Sequence, residues 1–360
     1  MNFFSRAFGN RDRATPHTAK KRINLALQGG GAHGAFTWGV LDHLLADGRL
    51  EIGGISGASA GAVNAVMLAD GLARGGAEGA RARLAEFWRA ASLGGNLPTA
   101  QRAVLDRLLS YLPATQSPLQ AWVGAWSRYL SPYDINPLNI NPLKELIERF
   151  VDFKAIQACA DLKLFVSATN VHTGQLRVFS RDEITADAVM ASAALPYLFH
   201  AVDIGGVPYW DGGYTGNPPI YPLLGASQSA DVLVVQINPL TRHTTPTSTQ
   251  EIFNRINEIT FNSSLSSEIR VIEFISDLLD KGELRSPSGA YRPIHLHRIA
   301  LGGRKPLPTE SKLSADFDFF EMLHRAGRRA ARRFLDGHFD DIGVRSTIEH
   351  SPETTADAAA

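Results

Sequence analysis

The chain is expected to fold as an α/β protein on a mostly parallel sheet, and three stretches predict it. Residues 23–28 form a short apolar strand that runs straight into the glycine loop 29–34, after which a helical pattern begins. Residues 51–56 form a second strand that breaks at glycine and passes at once into an alanine-rich helix. Strand patterns then return at 162–170 and 175–179 across a His172-Thr173-Gly174 turn. The order strand, loop, helix, strand, turn, helix implies a right-handed crossover. That crossover puts the glycine loop and the turn after the second strand at one edge of the sheet, on adjacent strands.

Composition bounds the function. The 360 residues are 44% hydrophobic and 20% charged, which suits one large or two small globular domains. Lys+Arg and Asp+Glu both number 36, so no global charge favours a nucleic-acid partner. A single cysteine, Cys159, excludes an internal disulfide and a Cys-based metal cage. Residues 1–22 are basic and lack the apolar run of a signal peptide, and no window reaches 18 uncharged apolar residues. The expectation is a cytoplasmic protein with disordered tails at 1–22 and 346–360, a catalytic domain at 23–240, and a helical extension with one further strand at 241–345.

In chain order, the first helix carries Phe36, Val40, Leu41, Leu44 and Leu45 at helical spacing. Gly29, Gly31 and Gly34 of the preceding loop satisfy the dinucleotide-binding pattern, which also needs an acid at the end of the second strand. Here Glu51 opens that strand and Ser56-Gly57-Ala58-Ser59 ends it, so the acid is on the wrong edge. The other use of consecutive glycines is to aim backbone N–H groups at a developing negative oxygen. Gly30 and Gly31, with the N–H of Ala60, are the expected donors. Gly57-Ala58-Ser59-Ala60-Gly61 fits a nucleophile elbow, in which glycines flank a serine where the backbone is crowded.

Residues 72–150 read as helical scaffold. Val104, Leu105, Leu108, Leu109 and Leu112 form one stripe, and Trp122, Trp126 and Leu130 another, which suits a core or a substrate-facing cap. Asn141-Pro142 reads as a helix start with Leu143, Leu146, Ile147 and Phe150 buried. After a short helix at 186–194, the strand 207–210 leads into Asp211-Gly212-Gly213. An acid there opens a structural turn or serves a site that backbone must approach closely.

A serine nucleophile needs a base, and none of the 11 histidines has the expected setting. His295 and His297 alternate in a last apolar strand without a clustered acid for metal binding, and His200, His243, His324 and His338 have no motif around them.

Gly29-Gly30-Gly31-Ala32-His33-Gly34, the Gly57–Gly61 elbow, Ala191-Ser192-Ala193-Ala194-Leu195-Pro196, and Asp211-Gly212-Gly213 with Asn217-Pro218-Pro219 together resemble the ordered blocks of the patatin-like phospholipases. Residues 231–239 resemble that family's next strand, so the likeness runs from about 23 to 239. It implies a three-layer α/β/α sandwich and a serine–aspartate dyad without histidine, metal or cofactor. By position, Ser59 is the nucleophile, Asp211 its base, and Gly29, Gly30, Gly31, Ala32 and Ala60 surround the oxyanion site. His33, Gly34, Gly57, Gly61, Gly212 and Gly213 support these motifs. The chain departs from the family at His33, where arginine or lysine is usual, leaving a pH-dependent charge.

The expected substrate is a lipid or other acyl ester. A lipid-binding or scaffold protein that kept the fold and lost catalysis is the alternative reading. In the extension, Phe319, Phe320, Leu323 and Phe334 share one side of a helix, and Arg325, Arg328, Arg329, Arg332 and Arg333 the other. That basic side is either solvated or docks on anionic membrane, which would make the protein peripheral to its inner face. A helix pair at 252–259 and 271–279 caps the site or makes a homodimer contact.

Overall fold

The computed structural model describes residues 20–92, 131–139, 141–285, 292–302, 307 and 309–348. The stripes at 104–112 and 122–130, and the tails at 1–19 and 349–360, lie outside the described residues. The strands are β1 (Lys21–Leu27), β2 (Leu50–Gly57), β3 (Lys163–Asn170), β4 (Leu176–Ser180), β5 (Val202–Ile204), β6 (Val207–Asp211), β7 (Asp231–Gln236) and β8 (His295–Ala300). The helices are α1 (Gly34–Asp47), α2 (Ala60–Ala90), α3 (Pro132–Ile135), α4 (Pro142–Phe150), α5 (Phe153–Ala158), α6 (Ala186–Ser192), α7 (Thr249–Asp280) and α8 (Phe317–His338). Helix α2 is kinked at Gly75 and Gly76.

All eight described strands join one sheet in the order β5-β6-β3-β2-β1-β7-β8, with β4 also paired to β3. β3, β2, β1, β7 and β8 are parallel, and β4, β5 and β6 enter antiparallel. Alternation along the central strands makes the layers. Ile23, Leu25 and Leu27 of β1 and Leu233 and Val235 of β7 point into a core shared with α1, α2 and α8. Ala26, Val232 and Val234 point to the other face, where Leu265 and Ile272 of α7 cover them. The result is the α/β/α arrangement that the family resemblance implies.

Several boundaries differ from expectation. β1 starts at Lys21, whose Nζ donates to the carbonyls of Phe339 (2.8 Å) and Ile342 (2.8 Å), so the basic tail does not reach residue 22. At the other end Ile348 is buried, and the N–H of Thr347 donates to Leu296 O, so residues 346–348 are part of the fold. The expected helix pair is one continuous 32-residue helix, α7. His295 and His297 do have an acid beside them. Asp231 Oδ1 lies 3.0 Å from His297 Nε2 and 3.3 Å from His295 Nδ1, and takes the N–H of Gly343 at 2.7 Å. His297 is fully buried, with its Nδ1 on Thr347 Oγ1, so the cluster latches the C-terminal segment to β7 and β8.

Helices α1 and α8 cross at two glycines. A Cβ on Gly39 would lie 2.0 Å from His324 O, and one on Gly327 would lie 2.1 Å from Phe36 O. Gly327→Ala forces these backbones apart at a cost of about 1–3 kcal/mol, against a helix-propensity gain of about 1 kcal/mol. The expected outcome is a lower urea midpoint at unchanged m-value. An unchanged or higher midpoint would mean that the crossing yields freely.

Candidate active site

Register brings two distant segments together. Phe165 and Val166 of β3 pair with β2 on one edge and β4 on the other, while Ala168 pairs with Arg177 of β4 and Asp211 of β6. β2 and β6 therefore share one edge of β3 and arrive from opposite directions. β2 ends at Gly57 opposite Val166, and β6 ends at Asp211 opposite Ala168. The carboxyl ends of both strands meet there, which is what places Ser59 near Asp211.

Ser59 sits between β2 and α2 at φ 53°, ψ −125°, a conformation that strains any residue with a Cβ. The flanking glycines are required by contact. A Cβ on Gly57 would lie 2.6 Å from Gly61 O, and one on Gly61 would lie 2.0 Å from Leu27 O. The N–H of Ser59 donates to the buried hydroxyl of Ser192 at 2.9 Å, fixing the turn from α6. Ser192 lies in one of the blocks quoted above, although its sequence context gave it no role.

Asp211 is fully buried. Its N–H donates to Ala194 O (2.9 Å), its carbonyl accepts from Thr169 Oγ1 (2.8 Å), and its Oδ1 accepts the N–H of Gly213 (2.7 Å). Oδ2 has no completed hydrogen bond. Burial pushes the carboxyl up to about 7, while the Gly213 N–H and the Ser59 hydroxyl pull the other way. Such a carboxyl is suited to accept and return a proton at neutral pH. Gly212 and Gly213 allow close passage, since a Cβ would meet Ser167 O at 2.3 Å and the Phe261 ring at 1.7 Å respectively.

The glycine loop lies beside Ser59 as expected, but its first member is not a donor to the site. The N–H of Gly29 donates to Asn217 Oδ1 at 2.7 Å, and its carbonyl accepts from Asn238 Nδ2 at 2.7 Å. Both asparagines are buried. Gly29 is thus scaffold, and the loop's reach toward the cavity passes to Gly30 and Gly31, which line it with Ser59 and Asp211. Ala32 is buried in the turn Gly31–His33, and the Gly34 carbonyl accepts from Asn64 Nδ2 on α2 at 3.0 Å. Ala60 opens α2 directly after the elbow.

His33 does not bring a titrating charge into the neutral range. It is buried, its Nε2 lies 2.7 Å from Ser311 Oγ, and burial, reinforced by Lys312, lowers its pKa to about 4. The nearby cation is Lys312, which the sequence did not single out. It lines the cavity, and its Nζ donates to Asn238 Oδ1 at 2.6 Å.

Among the described residues no histidine lines the cavity. His324 bonds to Asp42 and stacks on Trp38, His200 bonds to the Pro132 carbonyl, and His338 bonds to Asp341. The cavity holds about 260 Å³. Ser59 and Asp211 lie among walls of Leu195, Leu198, Tyr214, Phe253 and Phe261. A flexible apolar chain fits such a space.

A family model described as Patatin-like phospholipase matches residues 25–224. Among solved structures the chain is similar to VipD from Legionella pneumophila, at 15% identity and a TM-score of 0.35, over 86% of this chain and 67% of that one. It is also similar to the type III effector protein ExoU, at 17% identity and a TM-score of 0.35, over 88% of this chain and 53% of that one. The heterodimeric ExoU–SpcU complex from the type III secretion system of Pseudomonas aeruginosa matches at 15% identity and a TM-score of 0.34, over 89% and 53%. The chain spans about half the length of ExoU. No curated protein matches the chain.

Proposed function

The chain belongs to the patatin-like phospholipase family, and we propose that it is a serine acyl hydrolase cleaving fatty-acyl esters of lipids through Ser59 and Asp211. One observation carries this reading. A serine held at φ 53° and a fully buried aspartate raised to about 7 meet at the ends of β2 and β6, on the wall of an apolar cavity.

In the first step Asp211 accepts the Ser59 hydroxyl proton as Oγ attacks the acyl carbonyl. The N–H groups of Gly30 and Gly31, with those of Ala32 and Ala60 alongside, hold the resulting oxyanion. Asp211 then returns the proton to the departing alcohol, leaving an acyl-enzyme. Water enters and attacks the acyl carbonyl as it loses a proton to the same carboxylate; the Ser59 Oγ–acyl bond then breaks, Asp211 returns that proton to Oγ, and the fatty acid leaves. The apolar wall holds the acyl chain.

Labelling with a fluorophosphonate probe tests the assignment. The adduct is expected on the peptide carrying Ser59 and is expected to vanish in Ser59→Ala. A folded protein that sediments with lipid and resists the probe would support the noncatalytic lipid-binding reading instead.

Substrate approach is proposed from the mouth of the cavity. Tyr197, Leu198, Phe253 and Leu313 line it and are exposed, and Ile252 and Ile256 extend the apolar rim along α7. The arginine face, read as either solvated or docked on anionic membrane, contributes none of the residues that line the cavity. Helix α8 starts beside His33, where the Phe319 ring is 6.2 Å away, and ends beside β1, where Lys21 reaches the Phe339 carbonyl. Arg332 is thus about 20 Å along the helix from Phe319. Arg328 is committed to Asp42, and Arg325 pairs with Glu321. Arg329, Arg332 and Arg333 remain exposed. No described helix is long and apolar enough to cross a membrane.

In vesicle sedimentation, Phe253→Asp is expected to weaken binding at every salt concentration. Arg329→Glu with Arg332→Glu is expected to weaken only the salt-sensitive binding to anionic vesicles. Binding that survives Phe253→Asp unchanged would remove the rim as the lipid-facing surface.

A further inference from the structure

The oxyanion loop is held from outside the family-matched segment. The 3-10 turn Thr309–Leu313 lies against the turn Gly31–His33. Ser311 bonds to His33, and the Lys312 carbonyl stands where a Cβ on Gly31 would be, at 2.3 Å. Its ammonium donates to Asn238 Oδ1 (2.6 Å), and Asn238 Nδ2 donates to the Gly29 carbonyl (2.7 Å). Asn238 is itself fixed, because its N–H donates to Gln28 Oε1 (2.8 Å) and its carbonyl accepts from Gln236 Nε2 (3.2 Å).

The direction of this chain of bonds matters. An ammonium only donates, so it forces the acceptor end of the Asn238 amide toward itself and the donor end toward Gly29. Reversing that amide would set its oxygen against the Gly29 carbonyl and leave that carbonyl only the longer bond from Asn217 Nδ2 (3.5 Å). Glu258, the carboxylate whose charge acts on Lys312, is itself paired to Arg242 and Arg255. The ammonium is therefore held in the cavity wall by the asparagine.

We propose that Lys312 is a positioning residue for acyl transfer: through Asn238 its ammonium sets the orientation of Gly29, and with it the direction in which the Gly30 and Gly31 N–H groups point. This rests on the acyl-hydrolase reading above. The same positive charge, in a poorly solvated wall, also favours negative charge developing at the loop.

Burial lowers the Lys312 ammonium to about 8. Glu258 of α7 raises it and Arg242, after β7, lowers it. Arg255 and Arg242 are both paired to Glu258, neutral His33 lies across the loop, and Asp211 shares the cavity. The sign follows: the charged form is lost as pH rises through about 8.

The test is the pH profile of kcat/KM on a p-nitrophenyl ester for wild type, Lys312→Met and Lys312→Arg, with Ser59→Ala alongside. Lys312→Met is expected to lower kcat by about 10–100-fold with KM little changed, and to lose the alkaline limb near pH 8. Lys312→Arg keeps a fixed cation, so it is expected to recover most of the rate and to carry it above pH 9. A Met variant with wild-type kcat and the same alkaline limb overturns the proposal. So does an Arg variant no better than Met, which also covers the case in which Met merely unfolds. Turnover that survives Ser59→Ala overturns the hydrolase reading and this inference together. Serine-dependent turnover indifferent to Lys312 overturns the inference alone.

Discussion

Ser59→Ala is expected to lower ester turnover by about 10⁴-fold or more while leaving the fold intact, since removing a nucleophile removes the covalent route and leaves only binding and oxyanion stabilisation. The structure adds a second expectation. Ser59 is one of two described non-glycine residues with positive φ, and it occupies that conformation because β2 must turn sharply into α2. Alanine keeps the strain, whereas glycine removes it. Ser59→Gly is therefore expected to be equally inactive but more stable than Ser59→Ala, by about 1 kcal/mol in urea denaturation. Equal stability of the two variants would mean the elbow stores no strain. Activity persisting in either would place the nucleophile elsewhere.

The elbow and the glycine loop were legible in the sequence because their constraints are local. Gly57 and Gly61 touch backbone within a few residues or on the neighbouring strand, and no side chain fits there. β1 was legible for the same reason, as a short apolar run that feeds straight into the loop. What could not be read was register. Asp211 reaches Ser59 because Ala168 pairs with Asp211 two residues beyond the Val166–Gly57 pair, and no motif in 163–170 announces that.

Helix α7 was misread as two helices for a physical reason. Its middle carries Asn262, Ser263 and Ser264, which break the apolar period. Asn262 accepts from Gln28 Nε2 and donates to Pro239 O, and Ser264 Oγ accepts the N–H of Asn217. Glu268, one turn on, takes the N–H groups of Ile220 and Tyr221. The polar stretch is where the helix braces the scaffold under the glycine loop. Lys312 was invisible in the same way, because a lone lysine in a short turn gains its role only from Asn238, 74 positions earlier.

Asp211→Asn is expected to lower kcat/KM by about 10⁴-fold or more, and its effect on stability separates a base from a structural acid. The variant keeps the shape: the amide oxygen still accepts the Gly213 N–H that Oδ1 now takes at 2.7 Å. It removes the basicity. In wild type the carboxyl is raised from 3.8 to about 7 by burial, so below pH 3.8 both folded and unfolded forms are protonated. Between 3.8 and about 7 the unfolded chain ionises while the folded one holds its proton, and stability falls with rising pH. A shift of about 3 units corresponds to at most about 4 kcal/mol. Asparagine never ionises, so the variant is expected to gain on wild type through this window and to be the more stable protein at pH 8. The wild-type rate runs in the opposite sense, rising through about pH 7 as the base deprotonates. An Asp211→Asn protein that hydrolyses normally would transfer the base role to another group. One whose stability tracks wild type from pH 4 to 8 would mean the carboxyl is already charged in the folded state. The two curves cross because the same buried carboxyl that can take the serine proton costs the fold stability once it is ionised.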